Sequence, residues 1–186
     1  MRWGLLALLV SLTVGQAIGS TVVNFDDLPY GSVPASYGGI DWSASTWWMA
    51  YDSPPYFPAH SQPYSVFSHD SSPTWVFETP SRFEGVWFNG NNDSETSDQT
   101  INVKLFDTDD NLVWEATTPS LNPPGLPVWF GCDYTGWVER VTLTPVYFNR
   151  WTMDDVTYTA APGLPAVSLV VFAPLAGAIV RRLRKS

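Results

Sequence analysis

Ile101-Asn102-Val103-Lys104-Leu105-Phe106 alternates apolar and polar side chains, and that alternation sets the fold class. Successive side chains of a strand point to opposite faces, so Ile101, Val103 and Leu105 share one face against Asn102 and Lys104. One buried and one wet face is the signature of an antiparallel sheet. Residues 137–143, WVERVTL, repeat the pattern with Trp137, Glu139, Val141 and Leu143 against Val138, Arg140 and Thr142, although Glu139 interrupts the apolar face. After Phe106, Asp107-Thr108-Asp109-Asp110-Asn111 reads as a hairpin turn, because Asp and Asn tolerate the left-handed conformation.

Outward from these runs, residues 20–159 show no helical periodicity. Short β-branched and aromatic runs recur between Pro, Gly, Asn and Asp clusters, at 21–25, 47–50, 64–68, 74–78, 82–88, 101–106, 112–116, 128–132, 137–143 and 151–158. Ten strands suit two packed sheets, so the expected fold is all-β: an antiparallel β-sandwich of jelly-roll type. Two stretches read as irregular. Residues 51–64 carry four prolines, too many for a central strand, and residues 88–100 are polar and turn-rich. The latter include Asn92-Asp93-Ser94, a glycosylation sequon that matters only in a host that glycosylates exported proteins, and it is read as a chance match.

The two ends differ from this body. Residues 1–19 combine Arg2, an apolar run from Leu5 to Val14 and small residues at Ala17 and Gly19, the pattern of a secretory signal peptide. At the other end, an apolar stretch from Leu164 to Val180 precedes Arg181, Arg182, Arg184 and Lys185. Its length falls within the roughly 17–25 residues that span a bilayer, and the basic cluster is expected on the cytoplasmic side. The chain therefore divides into a signal helix (1–19), a β-sandwich (20–160) and a linker with an apolar C-terminal helix (161–186), and the protein is expected at the cell envelope or outside the cell. The body keeps Arg82, Lys104, Arg140 and Arg150 as its basic residues and all 18 acids, a net charge of −14. Such a surface repels nucleic acid and anionic lipid. The single Cys132 excludes an internal disulfide and is expected to be buried as a small hydrophobe.

Two otherwise strand-like stretches, TVVNFDDLP and RWTMDDVTY, each carry adjacent aspartates. In a strand such a pair sends one carboxylate to each face, and the inward one needs a donor or a metal. First and last strands of a sandwich often lie side by side. Asp26, Asp27, Asp154 and Asp155 are thus candidate ligands of a structural calcium ion, which takes six to eight oxygens. The alternative is that they cap strand ends and hydrogen-bond to loop backbone.

Nine tryptophans fall in the body. Most are expected in the core, but exposed Trp and Tyr stack on sugar rings. Trp47 and Trp48 must split between two faces, and with Tyr51 and Tyr56 they form the candidate polysaccharide-binding platform. Catalytic signals are thin. His60 and His69 lack metal-ligand spacing, and Glu84 with Glu139 is an acid–base pair that any acidic β-protein would offer. The chain is therefore read as no enzyme, with a glycoside hydrolase as the distant alternative.

The succession VNFDDLP, YGGIDW, RFEGVWFNG, INVKLFD, VWFGCDYTGWVERVTL and WTMDDVTY, then a proline-bearing linker, an apolar stretch and RRLRKS, resembles bacterial exported proteins of the PEP-CTERM sorting class. Pro162-Gly163-Leu164-Pro165 stands where that class has Pro-Glu-Pro. The resemblance implies a jelly-roll-like body, a C-terminal segment that directs sorting, and a sorting peptidase of exosortase type as partner. It implies an address more than an activity: a surface or matrix component, with a purely structural envelope protein as the nearest rival to polysaccharide binding.

Overall fold

The computed structural model of the chain describes residues 19–52, 58–90, 99–121, 126–147 and 151–162. The expected signal helix and C-terminal apolar helix lie outside the described residues. Eleven strands follow in order: β1 (Thr21–Val23), β2 (Ser36–Tyr37), β3 (Ile40–Asp41), β4 (Trp47–Tyr51), β5 (Tyr64–Ser68), β6 (Thr74–Gly90), β7 (Ile101–Phe106), β8 (Leu112–Thr117), β9 (Val128–Gly131), β10 (Val138–Pro145) and β11 (Trp151–Ala160). Every ladder is antiparallel, and no described residue is helical.

The alternation of residues 101–106 holds: Ile101, Val103 and Leu105 are fully buried, and their neighbours are half-buried. The Asp107–Asn111 segment closes the β7–β8 hairpin, with Asp110 left-handed (φ 62°) and the Asp107 carboxylate accepting from the Asp109 and Asn111 amides. Two short strands escaped the reading of strand runs. Tyr37-Gly38-Gly39-Ile40 is a two-residue hairpin whose glycines both have positive φ (61° and 71°), the geometry that Gly-Gly permits.

The two predicted strands at 74–78 and 82–88 are one strand of 17 residues, and it organises the molecule. The first half of β6 pairs with β10 on one edge and β3 on the other; the second half pairs with β9 and β11. Both edges change partner around Ser81, which opposes Val138 and Ala160. Pro80 is tolerated beside this changeover because its carbonyl still accepts the Ala161 amide. The full order is β4-β5-β11-β6-β10-β7-β8, with β1 on β11.

Strands that share no ladder meet across the core. Trp47 of β4 packs edge-on to Trp75 of β6 at 5.9 Å, and Trp114 of β8 meets Phe130 of β9 at 5.9 Å. These contacts close the two halves into a β-sandwich-like fold. Trp42, Trp47, Trp75 and Trp151 are buried. Cys132 is a free thiol, half-buried and packed against this core, and burial pushes its pKa up.

Candidate functional site

The first and last strands do lie side by side, Thr21 to Val23 opposite Tyr158 to Val156. The aspartate pairs, however, do not alternate across a sheet as expected. Each sits where a left-handed residue breaks the strand, Phe25 (φ 63°) in one case and Asp155 itself (φ 50°) in the other. After Phe25 the chain turns out of the sheet. Asp26 then accepts the Tyr64 amide at 3.3 Å, and Asp27 accepts the Tyr37 hydroxyl, whose pKa is raised by burial and by that bond.

In β11 the register slips by one residue between Asp154, opposite Trp87, and Thr157, opposite Gly85. This bulge turns both carboxylates to the same place. Ser61 Oγ lies 3.2 Å from Asp154 Oδ2 and 3.1 Å from Asp155 Oδ1, and the Ser61 amide donates to Asp154 Oδ2 at 2.8 Å. The Asp155 amide closes onto Asp154 Oδ1 at 2.8 Å. Burial pushes the Asp154 carboxyl up to about 8, against the pull of the Ser61 amide. Ser61 has a single hydroxyl proton for two carboxylates, so a proton on Asp154 is what lets both contacts be hydrogen bonds at once.

The same segment carries His60. Its Nδ1 is 2.5 Å from Asp155 Oδ2, and its ring stacks on Trp87 at 3.8 Å and 9°. Asp52 fastens the segment further, accepting from the Ala59 amide and Gln62 Nε2. Residues 59–62 thus lie against the outer face of the sheet, held by Asp154 and Asp155 of β11 and by Asp52.

Next to Trp87, Trp129 stands opposite in the β6–β9 ladder, with ring centroids 5.6 Å apart. Beneath its indole lies another cross-strand pair, Gly85 and Gly131. A Cβ on Gly85 would fall 2.4 Å from Trp129 Cζ2, and one on Gly131 would fall 3.0 Å from Nε1. The indole therefore lies flat across both strands on a glycine floor, and Trp129 is 40% exposed. A ring packed on one face and open on the other is preorganised for stacking.

The sequence-predicted platform is not one surface. Trp47 is 2% exposed and belongs to the core, which corrects its assignment as a ligand-binding residue. Trp48 is 44% exposed on the outer face, opposite Phe67. Tyr51 follows the side of Trp47 to the rim, where it stacks on Tyr30 at 4.4 Å. Tyr56 lies outside the described residues. Glu84 is engaged: burial opposes its ionisation, but bonds from Thr159, Ser20 and Arg82 outweigh that and lower its pKa. Among the described residues no three His, Cys, Asp or Glu side chains gather as a metal-binding group.

His60, Ser61, Trp87 and Trp129 were not singled out by motif. The available signal was Gly85 and Gly131, isolated glycines inside strand runs, which mark close approach to a backbone. No protein-family model and no curated protein matches the chain. Among solved structures, a DUF4465 family protein from Bacteroides caccae ATCC 43185 aligns with 81% of this chain and 92% of its own, at 10% identity and a TM-score of 0.48. A likeness of that degree carries no argument about function, and the site stands on its own geometry.

Proposed function

We propose that the protein is an exported, jelly-roll-like β-sandwich, held at the cell envelope by its C-terminal segment, that binds polysaccharide without catalysis. The observation that supports this reading is the Trp129 indole on its Gly85–Gly131 floor, extended by Trp87 and the stacked His60. Sugar rings present CH faces to such a platform, and His60, with 38% of its side chain exposed, supplies a polar edge beside it. A body charge of −14 favours neutral or basic polymers over acidic ones.

The test is a pull-down of the body, residues 20–160, on insoluble neutral glycans. Trp129→Ala is expected to lose retention at least tenfold while Trp48→Ala, on a separate patch, retains it. Equal retention of wild type and Trp129→Ala would refute the platform; retention by neither would leave a purely structural envelope protein. Deleting Leu164–Ser186 is expected to release the body into the medium, and continued envelope association would refute the anchor.

A further inference from the structure

Among the described residues, Ser20 is the first that the fold takes hold of. Its Oγ lies 2.9 Å from both Oε1 and Oε2 of Glu84 and 3.5 Å from Thr159 Oγ1, so the residue just ahead of β1 is tied through its side chain to β6 and β11. Gly19, one residue earlier, is exposed, and a Cβ placed on it would meet nothing within 4 Å. The chain therefore leaves the body at the Gly19–Ser20 bond. The sequence marks the same bond independently, because Ala17 and Gly19 are the small residues that precede a signal-peptidase cut.

Glu84 offers more than one serine hydroxyl needs. Its Oε1 accepts from Thr159 Oγ1 at 2.5 Å and from Arg82 Nη2 at 3.3 Å, whereas Ser20 is the one described contact of Oε2. A carboxylate oxygen has two lone pairs, so Oε2 has room for a further donor. Burial opposes the charge of Glu84, but bonds from Thr159, Ser20 and Arg82 outweigh it and hold the pKa low. The result is an anion, its side chain 25% exposed, with an open acceptor beside Ser20.

We propose that Gly19–Ser20 is a processing bond and that Glu84 seats the N-terminal ammonium which its cleavage creates. A signal peptidase adds water across the peptide bond, leaving a carboxylate on Gly19 and an amine on Ser20 that takes up a proton. Only Cα and Cβ separate that ammonium from Ser20 Oγ, and with the preceding peptide gone, rotation about the bonds of Ser20 brings it to Oε2. Arg82, the other cation at Glu84, sits on Oε1 and leaves Oε2 free for it. The charge-assisted bond then ties the head of β1 to β6 in the processed chain alone. The cut rests on the exported reading; the seat is independent of polysaccharide binding.

Two measurements separate the cut from the seat. The full chain, expressed with its leader in a bacterial host, is sequenced from its N-terminus: Ser20 is expected first, and any other first residue would overturn the processing bond. The chain from Ser20 to Ser186 is then compared by urea titration with the same chain made with an acetylated Ser20. The free ammonium is expected to favour the folded form about two- to fivefold, as a partly exposed ion pair does, and Glu84→Gln is expected to erase that preference. A second arm needs no substitution. An amine paired with Glu84 has its pKa raised above the value near 8 of the unfolded chain, so the preference is complete at pH 6 and is lost as pH rises through the folded value. Glu84 and Arg82 are the charged groups that face it. Equal stability of the free and acetylated chains at pH 6, or a preference that survives in folded Glu84→Gln, would overturn the seat.

Discussion

Gly85→Ala tests the platform and the fold together. Gly85 has φ +155°, where a side chain is strained, and its Cβ would meet Trp129 Cζ2 at 2.4 Å and the Phe130 carbonyl oxygen at 2.5 Å. The indole can swing away, but the backbone oxygen cannot move without opening the β6–β9 ladder. Strain of about 1–3 kcal/mol and overpacking of about 1–3 kcal/mol give an expected loss near 3 kcal/mol. For a body of this size that is about 10 °C in Tm. Because the displaced indole no longer lies flat, glycan retention is expected to fall along with Tm. Gly131→Ala, which meets only Nε1 at 3.0 Å, is the milder control. The assay is calorimetric melting followed by pull-down at a temperature where both variants are folded. A Gly85→Ala protein with unchanged Tm and full retention would refute both the packing and the role of Trp129.

Two further outcomes follow from buried groups. Burial raises the Asp154 carboxyl to about 8, so the native state keeps a proton that the unfolded chain, near 3.9, releases. This stability is present at pH 4 and is lost as pH rises towards 8, by up to about 1.4 kcal/mol per unit; Asp154→Asn should lack that slope, and equal slopes in urea titrations across pH 5 to 8 would refute the assignment. Trp47→Ala removes a ring in contact with Trp42, Trp75 and Trp151 and is expected to cost about 3–5 kcal/mol, whereas an unchanged denaturation midpoint would place Trp47 at the surface.

The sequence was legible where local chemistry and tertiary demand agree. Residues 101–106 alternate because one face of β7 is core, and the Asp-rich turn after them needed only the tolerance of Asp for left-handed geometry. The Gly-Gly hairpin at 38–39 carried an equally local signal, but its two-residue strands are too short to stand out as strand runs, and it was missed. Long-range matters were not legible. Thr79-Pro80 looked like a break between strands, yet β6 runs through it, because both edges change partner there and a missing amide costs nothing. Of Trp47 and Trp48, periodicity dictates that they part company, but only the packing of β4 against β6 decides which one is buried.

The aspartate pairs show the same division. From the sequence alone came the fold class, the acidity of the body, the apolar ends and the need of an inward carboxylate for a donor or a metal. Only tertiary structure turned Asp155 left-handed, brought Ser61 and His60 from 93 to 95 residues away onto the two carboxylates, and laid Trp129 on glycines from two strands. Alternation and turn chemistry act between neighbours in the chain and can be read from it. Register slips, burial of charge and the floor beneath an indole arise between distant segments, whose pairing is settled only by the free energy of the whole fold.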